Sequence, residues 1–181
     1  MSQTENLDFV HLHVHSEYSL VDGIIRVNEL VDHTLKLGYH SIALTDLTNL
    51  FGLIEFYRSA RKQGIKPIVG SEVYVAKDKD SVAAPLVLLA QNKQGYINLT
   101  KLVSRAYVDG QVNGDPVVLF SWLEEFSEGI IALSGGLDGH IGNSVLAGNH
   151  QLSESRIDFF QNIFGDNFFI EIQRTGKANE K

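Results

Sequence analysis

From Phe9 the chain alternates in parity, with Phe9, His11, His13 and His15 on one face and Val10, Leu12 and Val14 on the other. A period of two is that of a β-strand, so a first strand is predicted with its imidazoles sharing one side. The period then changes: Val27, Leu30, Val31, Thr34 and Leu35 recur at helical spacing, and Gly38 stands where a helix-ending glycine belongs. The exchange repeats, with "SIALT" as a short buried strand, Asn49 as a helix cap, Leu50, Leu53, Ile54 and Tyr57 as the apolar helical face, and Gly64 as the stop. "KPIVGSEVYV" supplies a third strand, "KDKDSVAA" a solvated loop, and "PLVLLA" a fourth strand ahead of a helix from about Asn92 to Val108. "GQVNGDP" reads as a loop, residues 121–126 as a short helix, "GIIALS" as a fifth strand, 139–147 and 153–164 as helical, and "NFFIEIQ" as a sixth strand.

Strands alternating with helices across short turns predict an α/β fold with a parallel sheet. Six such units favour a closed or nearly closed β/α barrel, with a doubly wound open sheet as the rival. The final "RTGKANEK" follows a strand with no helix behind it, so the architecture is expected to continue past this chain.

Composition narrows the chemistry. The 181 residues are 44% hydrophobic and 20% charged, the content of one globular domain. A formal charge of -7 argues against a sequence-independent grip on a phosphate backbone, which needs clustered Lys and Arg. With no cysteine, disulfides and thiolate nucleophiles are excluded, and any metal site must use His, Asp and Glu. The polar, acidic "MSQTENLD" is unlike a signal peptide, and no apolar run reaches membrane-spanning length, so a cytoplasmic protein without membrane contact is expected.

In parallel β/α folds the working groups come from the C-terminal ends of strands. There the sequence offers His13, His15, Glu17 and Asp22 after the first strand, Asp46 after the second, Glu72 in the third, Ser134 to Gly136 after the fifth and Glu171 in the sixth. Imidazoles two apart on a strand project to one side and can chelate a cation, while Asp22 and Glu72 add charge and bridging oxygens. The bland alternative, histidines packed in a polar barrel mouth, is weakened by the convergence of Asp22, Asp46 and Glu72. His11 lies deeper and is expected to be a supporting or core histidine; His33, His40, His140 and His150 carry no ligand pattern. The glycines of "SGGLDGHIG" match neither the dinucleotide nor the Walker spacing, and no G-x-S-x-G elbow occurs.

Four blocks taken together, "FVHLHVHSEYSLVDG", "ALTDLTNLFGLIEFYRSARKQGIKPIVGSEVYV", "LVLLAQNKQGYINLTKLVSRAY" and "GIIALSGGLDGHIG", resemble the N-terminal PHP (polymerase and histidinol phosphatase) domains of bacterial replicative DNA polymerase III alpha subunits. The resemblance implies a distorted seven-stranded β/α barrel, of which residues 1–181 would hold about six units, short of the last strand. It also implies a metal centre for phosphoester hydrolysis, to which His13, His15, Asp22 and Glu72 correspond. Three other ligand positions hold Leu47, Pro85 and Gly136, none of which offers a donor side chain. The expectation is therefore a degenerate centre with no catalytic residue, holding at most a residual Zn or Mn ion. Its role would be structural, supporting the rest of the polymerase alpha chain and docking the proofreading exonuclease (epsilon) subunit, with DNA met only through the holoenzyme. The rival expectation is an active metal-dependent phosphoesterase or 3'-5' exonuclease using the same four residues. An amidohydrolase barrel, which also opens with H-x-H, is weakened by the lack of a suitable bridging Lys.

Overall fold

The structure, a computed structural model, describes residues 9–20, 22–174 and 176. Helices α1 (Val27–Lys36), α2 (Leu53–Lys62), α3 (Lys93–Asp109), α4 (Phe120–Phe126), α5 (His140–Leu146) and α6 (His150–Phe164) alternate with strands β1 (Ser41–Leu44), β2 (Lys66–Ala76), β3 (Ala84–Ala90), β4 (Gln111–Val112), β5 (Asp115–Leu119), β6 (Ile130–Leu133) and β7 (Phe168–Phe169). None of these helices is long and apolar enough to cross a membrane.

The long β2 organises the sheet. Along one edge it pairs in parallel first with β1, Ser41 opposite Lys66, and then with β5, Tyr74 opposite Val117. Its other edge pairs with β3, Gly70 opposite Leu89, and the order continues through β6 to β7. The result is a distorted α/β barrel, but the sheet is mixed, because β3 runs antiparallel to both β2 and β6. The expected all-parallel sheet is thus corrected. Residues 77–83 are too few for a crossover, which takes a dozen or more residues, whereas a hairpin-like return needs only a short loop.

Three further expectations change. The alternating segment 9–15 forms no regular strand; it is held beside β1 by single hydrogen bonds, from Ala43 N–H to the His11 carbonyl and from Thr45 N–H to the Val14 carbonyl, both 2.9 Å. The "GQVNGDP" loop is the tip of a hairpin between β4 and β5, with Asn113 and Gly114 at positive φ as such a turn requires. The sixth strand shrinks to the two residues of β7, although Ser134 N–H still donates to the Phe169 carbonyl at 3.0 Å.

Apolar spacing sets which helix faces turn inward. Val27, Leu30, Val31 and Thr34 of α1 are buried, as the sequence pattern predicts, but Leu35 of the same pattern is exposed. On α2 the buried residues are Leu53, Phe56 and Ala60, while Ile54 and Tyr57, expected inside, are exposed together with Phe51. Asn49 does not cap α2; its side chain accepts from Phe51 N–H in the preceding turn. Asn92 does cap α3, accepting from Gly95 N–H at 3.0 Å. The largest buried cluster joins β2, β3 and β6 to α3, α4 and α6 through Val73, Leu88, Leu102, Leu123 and Phe160. A smaller one joins α1, α2 and β1 through Val31, Ile42, Leu44 and Phe56. Together they hold the N-terminal segment and the centre of β2 in fixed relation, which positions the polar groups described next.

Candidate metal centre

His13 and His15 stand on one side of the N-terminal segment, with ring centroids 5.2 Å apart, and Glu72 faces them from the middle of β2. Backbone contacts fix Glu72: its carbonyl accepts from Thr48 N–H at 2.6 Å and its N–H donates to the Thr45 carbonyl at 3.2 Å. The donor atoms of His13, His15 and Glu72 lie within 4.8 Å of one another. The His15 Nε2 is 2.9 Å and the His13 Nε2 3.5 Å from the Glu72 carboxylate.

The far nitrogen of each ring meets another carboxylate. His15 Nδ1 is 2.6 Å from Asp22 Oδ2, and His13 Nδ1 is 2.7 Å from Glu171 Oε1. An N–H at Nδ1 donating to a carboxylate leaves the Nε2 lone pair directed at Glu72, the outer arrangement that supports metal-bound histidines. Asp22 therefore stands behind His15, and its side chain is two-thirds exposed. Its loop is shaped for this: Gly23 N–H donates to the Ser19 carbonyl at 2.7 Å, and a Cβ on Gly23 would fall 1.7 Å from the Ser16 carbonyl oxygen.

Two lone pairs and a carboxylate cannot share this space without positive charge between them, so either a proton or a cation must be there. With protons, burial disfavours the His13 imidazolium, but its hydrogen bonds to Glu171 and Glu72 outweigh that and raise its pKa to about 9. His15 is raised as well, burial again opposing and Glu72 and Asp22 prevailing. Burial pushes the Glu72 carboxyl up, while the two histidines bring it down to about 2. A divalent ion would satisfy the same groups, and two buried atoms mark the arrangement as incomplete: His15 Nε2 and Glu171 Oε2 have no aligned hydrogen-bond partner. Two imidazole nitrogens and a carboxylate suit zinc or manganese.

An open pocket of about 630 Å³ leads to these groups, walled by Leu47, Tyr74, Pro85, Gly135 and Asp138. Two of the donor-free positions, Leu47 and Pro85, are thus at the mouth. The third, Gly136, has a positive φ of 60°, and a Cβ there would meet the Gln173 side-chain oxygen at 2.9 Å.

Asp46 is kept out of the centre. It is 1% exposed and accepts from Ser16 N–H, from the Ser16 hydroxyl and from the Ser19 hydroxyl, at 2.7 to 3.0 Å. His11 packs against Phe9 and Tyr39, away from the ligand group. His140 hydrogen-bonds the Val75 carbonyl at 2.8 Å and lies edge-on to Phe120, a structural role. Gln173, which the sequence did not single out, and Glu171, noted only as an acid in the sixth strand, both join the centre; the alternation of Glu171 and Gln173 with Ile170 and Ile172 was the available signal.

Comparison with known proteins places these features. The PHP domain family matches residues 11–175 of the chain. The DNA polymerase III subunit alpha of Vibrio cholerae is 44% identical over 174 residues, which are 96% of this chain and 15% of that protein. The same subunit of Escherichia coli K12 is 43% identical over 174 residues, and that of Pseudomonas aeruginosa 40% over 176, each again across 15% of the relative. The chain thus spans a small part of the length of these relatives. Among solved structures, a Bifidobacterium adolescentis protein described as a metal-dependent phosphoesterase matches with a TM-score of 0.55 over 90% of this chain and 76% of its own, at 13% identity, a likeness of fold.

Proposed function

The chain belongs to the PHP domain family, and from that premise we propose that it is the N-terminal domain of a bacterial replicative DNA polymerase alpha subunit, its metal centre degenerate and its role structural. The observation that carries this reading is the wall of the pocket. His13, His15 and Glu72 converge on one point, while Leu47 and Pro85 line the approach and Gly136 has no side chain to offer. Hydrolysis of a phosphoester by clustered ions needs about four donors per ion together with a poised water, and Leu47, Pro85 and Gly136 supply neither.

In this reading residues 1–181 are most of one PHP domain, continued by the polymerase modules of the same cytoplasmic chain. The domain supports them and docks the proofreading exonuclease subunit, and DNA is met only through the assembled holoenzyme. The exposed outer face of α2, where Phe51 and Ile54 lead into Arg58 and Lys62, supports a docking role. If an ion is bound, His13, His15 and Glu72 would hold it, with Asp22 and Glu171 fixing the rings, and it would supply Lewis acidity at that point. In this reading the chain's own residues hold and orient the ion.

The second reading, an active phosphoesterase or 3'-5' exonuclease, is favoured by the convergence of His13, His15 and Glu72 and by the buried Glu171 Oε2, which has no donor. The deciding experiment assays the purified protein with zinc or manganese on an aryl phosphate and on single-stranded DNA. Background rates are expected in wild type and His13→Ala alike. Turnover that vanishes in His13→Ala overturns the structural reading.

A further inference from the structure

Glu171 and Gln173 come from the segment beyond β7, 158 and 160 positions from the histidine they meet. Glu171 is nine-tenths buried. Its Oε1 accepts from the His13 Nδ1–H at 2.7 Å and from the Gln173 amide at 2.9 Å, the same amide lying 3.1 Å from Nδ1 without bonding it when Nδ1 is protonated, while its Oε2 is left buried without a donor. The Glu171 N–H in turn donates to the Ser134 hydroxyl at 2.9 Å, tying this segment to the end of β6. The other end of Gln173 reaches into the space beside Gly136, where any side chain would collide with it.

We propose that Glu171 and Gln173 are positioning residues of a single-ion site. Glu171 fixes His13 in the Nδ1–H tautomer with Nε2 aimed at Glu72, and Gln173 both holds Glu171 and occupies the place from which Gly136 could have supplied a further ligand. One carboxylate thus stands behind each imidazole, Asp22 behind His15 and Glu171 behind His13. The Oε2 of Glu171 is the loose end of this shell, since a buried carboxylate oxygen normally has a donor and this one has none. Three carboxylates against two imidazoles leave the cluster with negative charge whatever the histidines do, which favours a cation over an anion. The proposal deepens the residual-ion part of the reading above, and binding and hydrolysis are measured separately, so failure of one does not decide the other.

The test is titration of the protein with Co²⁺, followed by visible absorption and calorimetry. Wild type is expected to bind one ion. Glu171→Gln, nearly isosteric, should weaken binding about 10- to 100-fold and shift the absorption bands, as loss of an outer carboxylate does, and Gln173→Ala should weaken it by a smaller factor. Nitrogen-15 NMR of the metal-free protein supplies the second readout: His13 should be the Nδ1–H tautomer in its neutral form in wild type and a mixture in Glu171→Gln. Circular dichroism showing that the metal-free variants are folded at the titration temperature and pH separates positioning from folding. No binding by wild type, more than one ion at saturation, or equal affinity and tautomer in Glu171→Gln each overturns the proposal.

Discussion

Two buried carboxylates, Asp46 after β1 and Glu72 in the middle of β2, behave in opposite ways. Asp46 is surrounded by neutral donors, the Ser16 N–H and the hydroxyls of Ser16 and Ser19, and its hydrogen-bonding capacity is met from within the protein. Glu72 faces two imidazoles whose near nitrogens must carry a proton or an ion before the three groups can coexist. The first is finished structure; the second is a site that requires charge from elsewhere. Burial of an acid at a strand end does not by itself mark chemistry, whereas the kind of partner it has does.

The comparison is broken most severely at Asp46. Asp46→Ala leaves a buried N–H and two hydroxyls without an acceptor and releases the loop that carries Asp22, so it should destabilise by about 3 to 5 kcal/mol. Urea unfolding checks this, and a loss below about 1 kcal/mol would show that solvent already satisfies those donors. Glu72→Gln should cost less, about 1 to 2 kcal/mol, because the imidazoles can shed their protons when their counter-charge goes. Its larger effect should be on ion binding, which calorimetry should find abolished; retained affinity would mean that Glu72 is not a ligand.

Much of this was legible from residue order, for reasons that also explain what was not. Short apolar runs located β1, β3 and β6, and helical spacing located α1 and α2, because these are local properties of buried faces, whereas the one strict alternation, over residues 9–15, forms no strand. Strand direction is not local: β3 was placed but its antiparallel course was missed, although the seven residues between it and β2 are too few for a parallel crossover. The inward face of α2 was assigned one residue off, since Ile54 and Tyr57 share the apolar character of Leu53 and Phe56 and only packing against α1 and β1 separates them. At the centre, H-x-H announced His13 and His15, strand-end position brought in Asp22, Glu72 and also Asp46, and family resemblance then matched Asp22 and Glu72 but not Asp46. Glu171 and Gln173 became neighbours of His13 only when the barrel brought the two ends of the described chain together, a contact that no spacing encodes.

A pH series sharpens the same contrast without changing a residue. His13, raised to about 9, contributes stability that is fully present below the ordinary histidine value of 6.5 and is lost as pH rises through about 9. Glu72, lowered to about 2, contributes stability that is present above its ordinary 4.5 and is lost as pH falls through about 2. For metal-free protein the His13–Glu72 contribution is therefore complete between about 4.5 and 6.5. The gap in urea midpoint between wild type and Glu72→Gln should be flat across that window and close towards pH 9.5, whereas the gap for Asp46→Ala should persist there. A Glu72 gap unchanged at pH 9.5 would place its partner outside the imidazole pair.

The smallest expected effect on stability is also the most direct probe of what the centre lost. Leu47 is partly exposed at the pocket mouth, and what anchors it is its backbone, whose N–H donates to the Ser19 hydroxyl at 3.0 Å. Leu47→His keeps that bond and removes only part of an apolar wall, so stability should change by less than about 1 kcal/mol. The added imidazole faces the pocket that His13, His15 and Glu72 line, and a further nitrogen donor should tighten Co²⁺ about tenfold or more. If affinity does not rise, the mouth has repacked so that position 47 no longer looks towards the ligands, and the degeneracy lies in the shape of the pocket as much as in the missing side chains.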